Sequence, residues 1–88
     1  MQQNARSMRT SASPMTRGAL QKRSMRIAGH RTSLALEQEF WEALERIARA
    51  RSQSLPVLIA SVDDSRSKGE PDASLASAVR VFVLQNRI

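Results

Sequence analysis

Eighty-eight residues leave room for one domain, and a hydrophobic content of 41% that is unevenly spread means that the part able to fold is well short of the whole chain. There is no cysteine, which excludes disulfides, thiolate zinc sites and thiol nucleophiles, and no apolar run of about 18 residues that would span a membrane. The formal charge of +6 is lopsided: Met1 to Arg31 holds seven basic residues and no acidic one, whereas Thr32 to Ile88 holds seven basic against eight acidic, so the positive potential sits on an N-terminal arm.

Residues 1–22 mix Ser, Thr, Gln, Asn and Arg with Pro14 and Gly18 and have few bulky apolar side chains. Such a segment buries too little to offset its ordering entropy, so it is expected to be a disordered basic arm, with residues 23–88 as the folded domain. Its Arg- and Ser-rich, acid-free composition has the look of a transit peptide but lacks the apolar segment of a secretory signal, and a cytoplasmic setting is expected. Met8, Met15 and Met25 leave a later natural start open. Met25 and Ile27 alternate with Arg26 and Ala28, so Arg23 to Gly29 either extends the following strand or lies along its edge, with Gly29 as a break or bend.

Arg31 to Leu36 alternates as a strand, with Thr32, Leu34 and Leu36 on one face and Arg31, Ser33 and Ala35 on the other. With no hairpin partner evident nearby, the strand's ladder groups are expected to pair with the same strand of a second copy. Such a two-stranded antiparallel ribbon, with helices beneath it, has a shape that enters the DNA major groove.

Glu37 to Arg51 reads as a helix whose apolar face is Phe40, Leu44, Ile47, Ala48 and Arg51, with Trp41 one residue off that stripe as a packing or dimer-contact residue. Ser52-Gln53-Ser54 forms a turn, Ser54 caps a second helix, and Pro56 is tolerated in its first turn. That helix is expected from about Leu55 to Ser65, burying Leu55, Leu58, Ile59 and Val62. Ser65 to Ser74, with Gly69, Pro71 and four charges, reads as a loop. Asp72 or Ser74 then caps a third helix from Leu75 to about Asn86, preferred over a strand by its length and its Leu75, Val79, Phe82 stripe, although Val79, Val81 and Val83 also alternate.

Little here suggests catalysis, a cofactor or a metal. His30 is the sole histidine and has no acid near it in a recognisable order, and Ser33 lies on the other face of its strand. Asp63 and Asp64 are adjacent, so their carboxylates diverge around a helix. Gly18, Gly29 and Gly69 make no phosphate loop, and Phe40, Trp41 and Phe82 are too few for a single-strand stacking surface.

HRTSLALEQEFWEALERIA (His30 to Ala48), followed by Ser52-Gln53-Ser54-Leu55 and the Leu58-Ile59 pair, resembles the ribbon-helix-helix family of DNA-binding proteins. The resemblance covers Gly29 to Asp63, while Ile27 to Ser33 and Arg80 to Leu84 look like a variant with a basic lead-in and an extra C-terminal helix. It implies a mainly α homodimer with an intermolecular two-stranded antiparallel ribbon, two core helices and a third helix. Leu34, Leu36, Phe40, Trp41, Leu44, Ile47, Leu58, Ile59 and Val62 would form a core shared between the chains.

The resemblance assigns base contacts to Arg31, Ser33 and Ala35. Arg31 can grip guanine with two hydrogen bonds, Ser33 can donate or accept, and Ala35 offers only an apolar contact such as a thymine methyl. Phosphate contacts fall to Arg23, Arg26 and His30 on the lead-in and to Ser52, Gln53 and Ser54 at the second helix, where Ser52 stands in place of a frequent Gly and Pro56 lacks an amide. The implied function is sequence-selective double-stranded DNA binding by a transcriptional regulator. The alternative is an antitoxin-like or other interaction module whose residues 75–88, with Val81, Phe82, Val83, Leu84 and Ile88, bind a protein partner. A third reading gives the basic arm to RNA or a membrane surface.

Overall fold

The computed structural model describes residues 19–86, so residues 1–18 of the expected arm lie outside it. β1 (Leu20–Ile27) and β2 (His30–Glu37) pair antiparallel over their whole length, from Leu20 opposite Glu37 to Ile27 opposite His30. Ala28 and Gly29 join them, with φ of 51° and 83°. Two central residues with positive φ make the hairpin turn whose twist matches that of the strands. The two-stranded antiparallel ribbon is present ahead of the helices, and within the single chain β1 fills one edge of β2. β1 takes in Leu20 to Lys22, which the sequence places in the arm.

α1 (Gln38–Ala50) follows β2 directly, with Glu37 as its N-cap and no side-chain cap bond. Trp41, Leu44, Ile47 and Ala48 form its buried stripe, and Phe40 is half-buried at the margin. Trp41 is therefore central and not off the stripe; it is fully buried. Its indole Nε1 donates to the Gln21 carbonyl across 2.8 Å, which fastens β1 to α1. A buried indole N–H left unpaired costs free energy, so this bond also fixes where the ring can sit.

α1 ends at a left-handed residue, Ser52, with φ of 55°. The Ser52 N–H donates to the Arg49 carbonyl (3.1 Å) and the Gln53 N–H to the Ala48 carbonyl (2.9 Å), the bond pair of a Schellman termination. A side chain in this conformation costs about 1–2 kcal/mol, part of which glycine returns as unfolded-state entropy. Ser52→Gly is expected to stabilise the domain by about 0.5–1 kcal/mol and raise its melting midpoint by about 4 °C. A midpoint at or below that of the wild type in a thermal melt would count against this strain.

α2 (Leu55–Gly69) begins where Ser54 Oγ accepts the Val57 N–H at 3.3 Å, and it buries Leu58, Ile59 and Val62. It runs four residues beyond the expected Ser65. The charges read as loop-forming instead support the helix: Arg66 binds Asp63 at 2.8 Å and Lys68 binds Asp64 at 3.1 Å. Both cations occupy the last turn, where the helix dipole favours them, and both acids are moved back from the helix end. The Arg66 guanidinium also donates to the Pro71 and Ala73 carbonyls, tying down the short loop.

α3 (Leu75–Gln85) is capped by Ser74, whose Oγ accepts the Ser77 N–H at 3.0 Å; Asp72 is not the cap. Val79 and Val83 are buried four residues apart, so the segment is a helix that helps close the core. α2 packs against β1, and α1 and α3 pack against β2. Leu34, Leu36, Trp41, Leu44, Ile47, Leu58, Ile59 and Val62 are each 6% exposed or less within one chain. The core expected to be shared between two copies thus closes in a single chain, with half-buried Phe40 as the exception.

Arg80 Nε reaches Glu37 Oε1 at 3.0 Å, joining α3 to the β2–α1 junction. A backbone N–H at Glu37 and the Arg80 guanidinium hold the Glu37 carboxyl below its ordinary value of 4.5. A depressed folded-state value contributes stability that is present above the unfolded value and lost as pH falls through the folded one. Glu37→Gln is expected to lower the melting midpoint above about pH 5, and this difference should close as pH falls below about 4. A difference that stayed constant down to pH 3 would assign the effect to something other than the charge.

Candidate nucleic-acid interface

A pleated hairpin presents alternate residues to opposite sides. Met25, Ile27, Leu34 and Leu36 face the helices, and Lys22, Ser24 and Arg26 of β1 face outward beside Arg31, Ser33 and Ala35 of β2. The register sets these six in three rungs: Arg26 opposite Arg31, Ser24 opposite Ser33, and Lys22 opposite Ala35. The two serine hydroxyls lie 3.1 Å apart, and Arg26 Nη1 donates to the Gly29 carbonyl at 3.1 Å.

Two arginines directly across a ribbon repel, which is tolerable in water and favourable once a polyanion lies over them. The four ion pairs among the described residues engage Arg23, Arg66, Lys68 and Arg80. Lys22, Arg26 and Arg31 take part in none of them. Glu37, the nearest acid along β2, is turned to Arg80. The outward face is therefore a cationic, hydroxyl-bearing surface whose charges are not neutralised from within.

Arg26, Arg31, Ser33 and Ala35 are brought together there, and the other expected contacts are not. Arg23 lies on the helix side of the pleat, its guanidinium 4.6 Å from the centre of the Trp41 ring and 2.9 Å from Glu45 Oε2. These partners occupy it, so it is a packing residue and not a free phosphate contact. His30 is exposed at the turn end, opposite Ile27 and on the other side of the pleat from Arg31. Ser52, Gln53 and Ser54 are exposed at the α1–α2 turn. The Ser52 and Gln53 amides are already spent on α1 carbonyls and Ser54 Oγ on Val57, which depletes the expected phosphate clamp.

Lys22 and Ser24 join the surface unexpectedly. The alternation Lys22, Ser24, Arg26 against Arg23, Met25, Ile27 carried the signal, and extending it past Arg23 would have found them. Among the described residues there is no group of three or more His, Cys, Asp or Glu placed to hold a metal, and no helix long and apolar enough to cross a membrane.

No curated protein and no solved structure matches the chain. The sequence model of the Ribbon-helix-helix domain matches residues 20–86, a span that begins at the first residue of β1 and ends just past α3. With an antiparallel ribbon leading into α1 and α2, and a match covering most of its length, the chain belongs to the ribbon-helix-helix family.

Proposed function

We propose that the chain binds double-stranded DNA with sequence selectivity, as a homodimer, and acts as a transcriptional regulator. The observation that carries this reading is the outward face of the hairpin, where Arg26 and Arg31 oppose each other without a carboxylate partner. A two-stranded ribbon fits a major groove about 12 Å wide, with the helices left outside as its support. Arg31 is the guanine reader, Ser33 an adaptable donor or acceptor and Ala35 an apolar contact for a thymine methyl. Arg26, tethered to the turn, and the basic residues before Ala19 engage phosphates. Val57, Val81 and Leu84, about half exposed on α2 and α3, offer apolar surface to a second copy.

The test is a titration of the full chain against its own upstream DNA and a scrambled duplex at two salt concentrations, with light scattering to give the mass in solution. Preference for the upstream duplex and a dimer mass are expected, whereas equal affinity for both duplexes would remove sequence selectivity. Deleting residues 1–18 should weaken both duplexes alike and flatten the salt dependence.

A second reading, an interaction module with a protein partner at residues 75–88, draws support from an open cleft of about 460 Å³ between α2 and α3, lined by Val62, Val81 and Phe82 with Arg51, Arg66 and Gln85. Val81→Asp separates the two: loss of a co-purifying partner with DNA binding intact favours this reading.

A further inference from the structure

We propose that the cleft between α2 and α3 is a binding site for a small amphipathic carboxylate, an acid group on an apolar aliphatic or aryl body, with Arg51 as the residue that takes the acid. The proposal stands apart from the DNA-binding reading, and it competes with the protein-partner reading for the same cleft.

Two facing helical stripes build the walls. Ser61, Ser65 and Gly69 on α2 and Ala78, Val81 and Gln85 on α3 line the cleft, each set at helical spacing. From Ser61 to Gly69 the helix rises about 12 Å, or about two turns. Val62 and Phe82 join Ala78 and Val81 as its apolar lining, and Val81 is 48% exposed, so a bound apolar group has surface to cover. The volume of about 460 Å³ lies within the roughly 300–1,000 Å³ of small-molecule sites. A stable protein interface covers about 800 Å² of each partner, and a cleft of this length is short for that.

Arg51 supplies the polar anchor. Its guanidinium lies 5.3 Å from the centre of the Phe82 ring, and its Nη2 donates to Asn86 Oδ1 at 3.1 Å. The Asn86 amide is fixed in turn, because its Nδ2 donates to the Phe82 carbonyl at 2.9 Å. A ring and an amide therefore hold the guanidinium in place, and neither neutralises it. Arg51 has no ion pair among the described residues, and most of its N–H donors stay open to the two oxygens of a carboxylate.

The other charges of the cleft narrow the ligand. Arg66 is neutralised by Asp63 at 2.8 Å and also donates to the Pro71 and Ala73 carbonyls. Glu70 lies beyond Gly69, towards the opposite end from Phe82 and Gln85, and would repel a second acid group there. An open cation at one end, a carboxylate at the other and apolar wall between them select a monoanion with an apolar body over a phosphate dianion.

The experiment titrates decanoate, 1-decanol and decylamine, each below the concentration at which it forms micelles, into the full-length wild-type chain and into Arg51→Gln, Arg49→Gln and Val81→Asp. Each variant is first checked for a melting midpoint close to wild type. Calorimetry gives the affinity, and backbone amide shifts give the place. Decanoate is expected to bind the wild type at one site, to shift the amides of Ser61 to Gly69 and Ser77 to Gln85, and to bind about ten-fold more tightly than decanol or decylamine. Arg51→Gln should lose that preference, Arg49→Gln should keep it, and Val81→Asp should bind none of the three. Equal binding of the three probes, a preference retained in Arg51→Gln, an equal loss in Arg49→Gln or shifts spread outside the cleft would overturn the proposal. Cleft amides that shift on dilution of the chain alone and ignore decanoate would give the cleft to a second copy, and a co-purifying protein that decanoate does not displace would give it to that partner. Either result also overturns it.

Discussion

Trp41→Ala unfolds most of the chain at 37 °C. Trp41 heads the fully buried side chains of this domain by volume, and removing an indole from a packed core costs about 3–5 kcal/mol. A core this small supplies little more than about 3–5 kcal/mol in all, so the loss consumes most of the stability. Two further losses act in the same place. The Gln21 carbonyl forfeits its 2.8 Å donor, and the Arg23 guanidinium forfeits the ring beneath it, leaving that charge to Glu45 alone. All three contacts join α1 to β1, so the hairpin should loosen at its open end before the helices separate. A thermal melt followed by circular dichroism reads the stability, and hydrogen exchange of the β1 amides reads the hairpin. A variant melting within a few degrees of wild type would mean that the ring does not hold the domain together.

What could be read from the chain depended on whether local chemistry announced itself. β2 was visible because Thr32, Leu34 and Leu36 alternate with Arg31, Ser33 and Ala35, and the observed strand adds one residue at each end. Ser54 was legible as a cap because its hydroxyl has one good use, the Val57 N–H. The hairpin was not legible, since its turn is Ala28-Gly29 where Asn-Gly or Asp-Gly is the usual signature, and an alanine at positive φ gives no warning of itself. Without that turn nothing in the sequence marks β1 as a partner for β2.

A stripe anchored on Phe40 leaves Trp41 at its edge; shifting the frame by one residue gives Trp41, Leu44, Ile47 and Ala48, the set that is buried. The end of α2 was hidden by composition. Gly69 and a run of charges resemble a loop until Asp63 is matched with Arg66 and Asp64 with Lys68 at helical spacing. Arg23 shows the limit of charge counting: it belongs to the basic lead-in by sequence and to the Trp41 and Glu45 packing layer by pleat.

Arg31→Ala lowers the preference for the specific duplex over a scrambled one by about 1–3 kcal/mol, five-fold at the least, with a smaller loss on the scrambled duplex. The asymmetry follows from geometry. Arg31 lies at the centre of neither the core nor an ion pair: it is exposed on the outward face, outside the four ion pairs among the described residues, and opposite another arginine. Its removal relieves a like-charge rung, so the hairpin should be as stable as before or slightly more so. A fall in binding therefore cannot be charged to unfolding, as it could be for a core residue. Arg26→Ala offers the contrast, because its guanidinium is partly held by the Gly29 carbonyl at the turn, so it should weaken both duplexes by a similar factor. If Arg31→Ala instead weakened the two duplexes equally, the arginine would be one more phosphate contact. Direct readout would then rest on Ser33 and the apolar Ala35, a weaker basis for selecting one site among many.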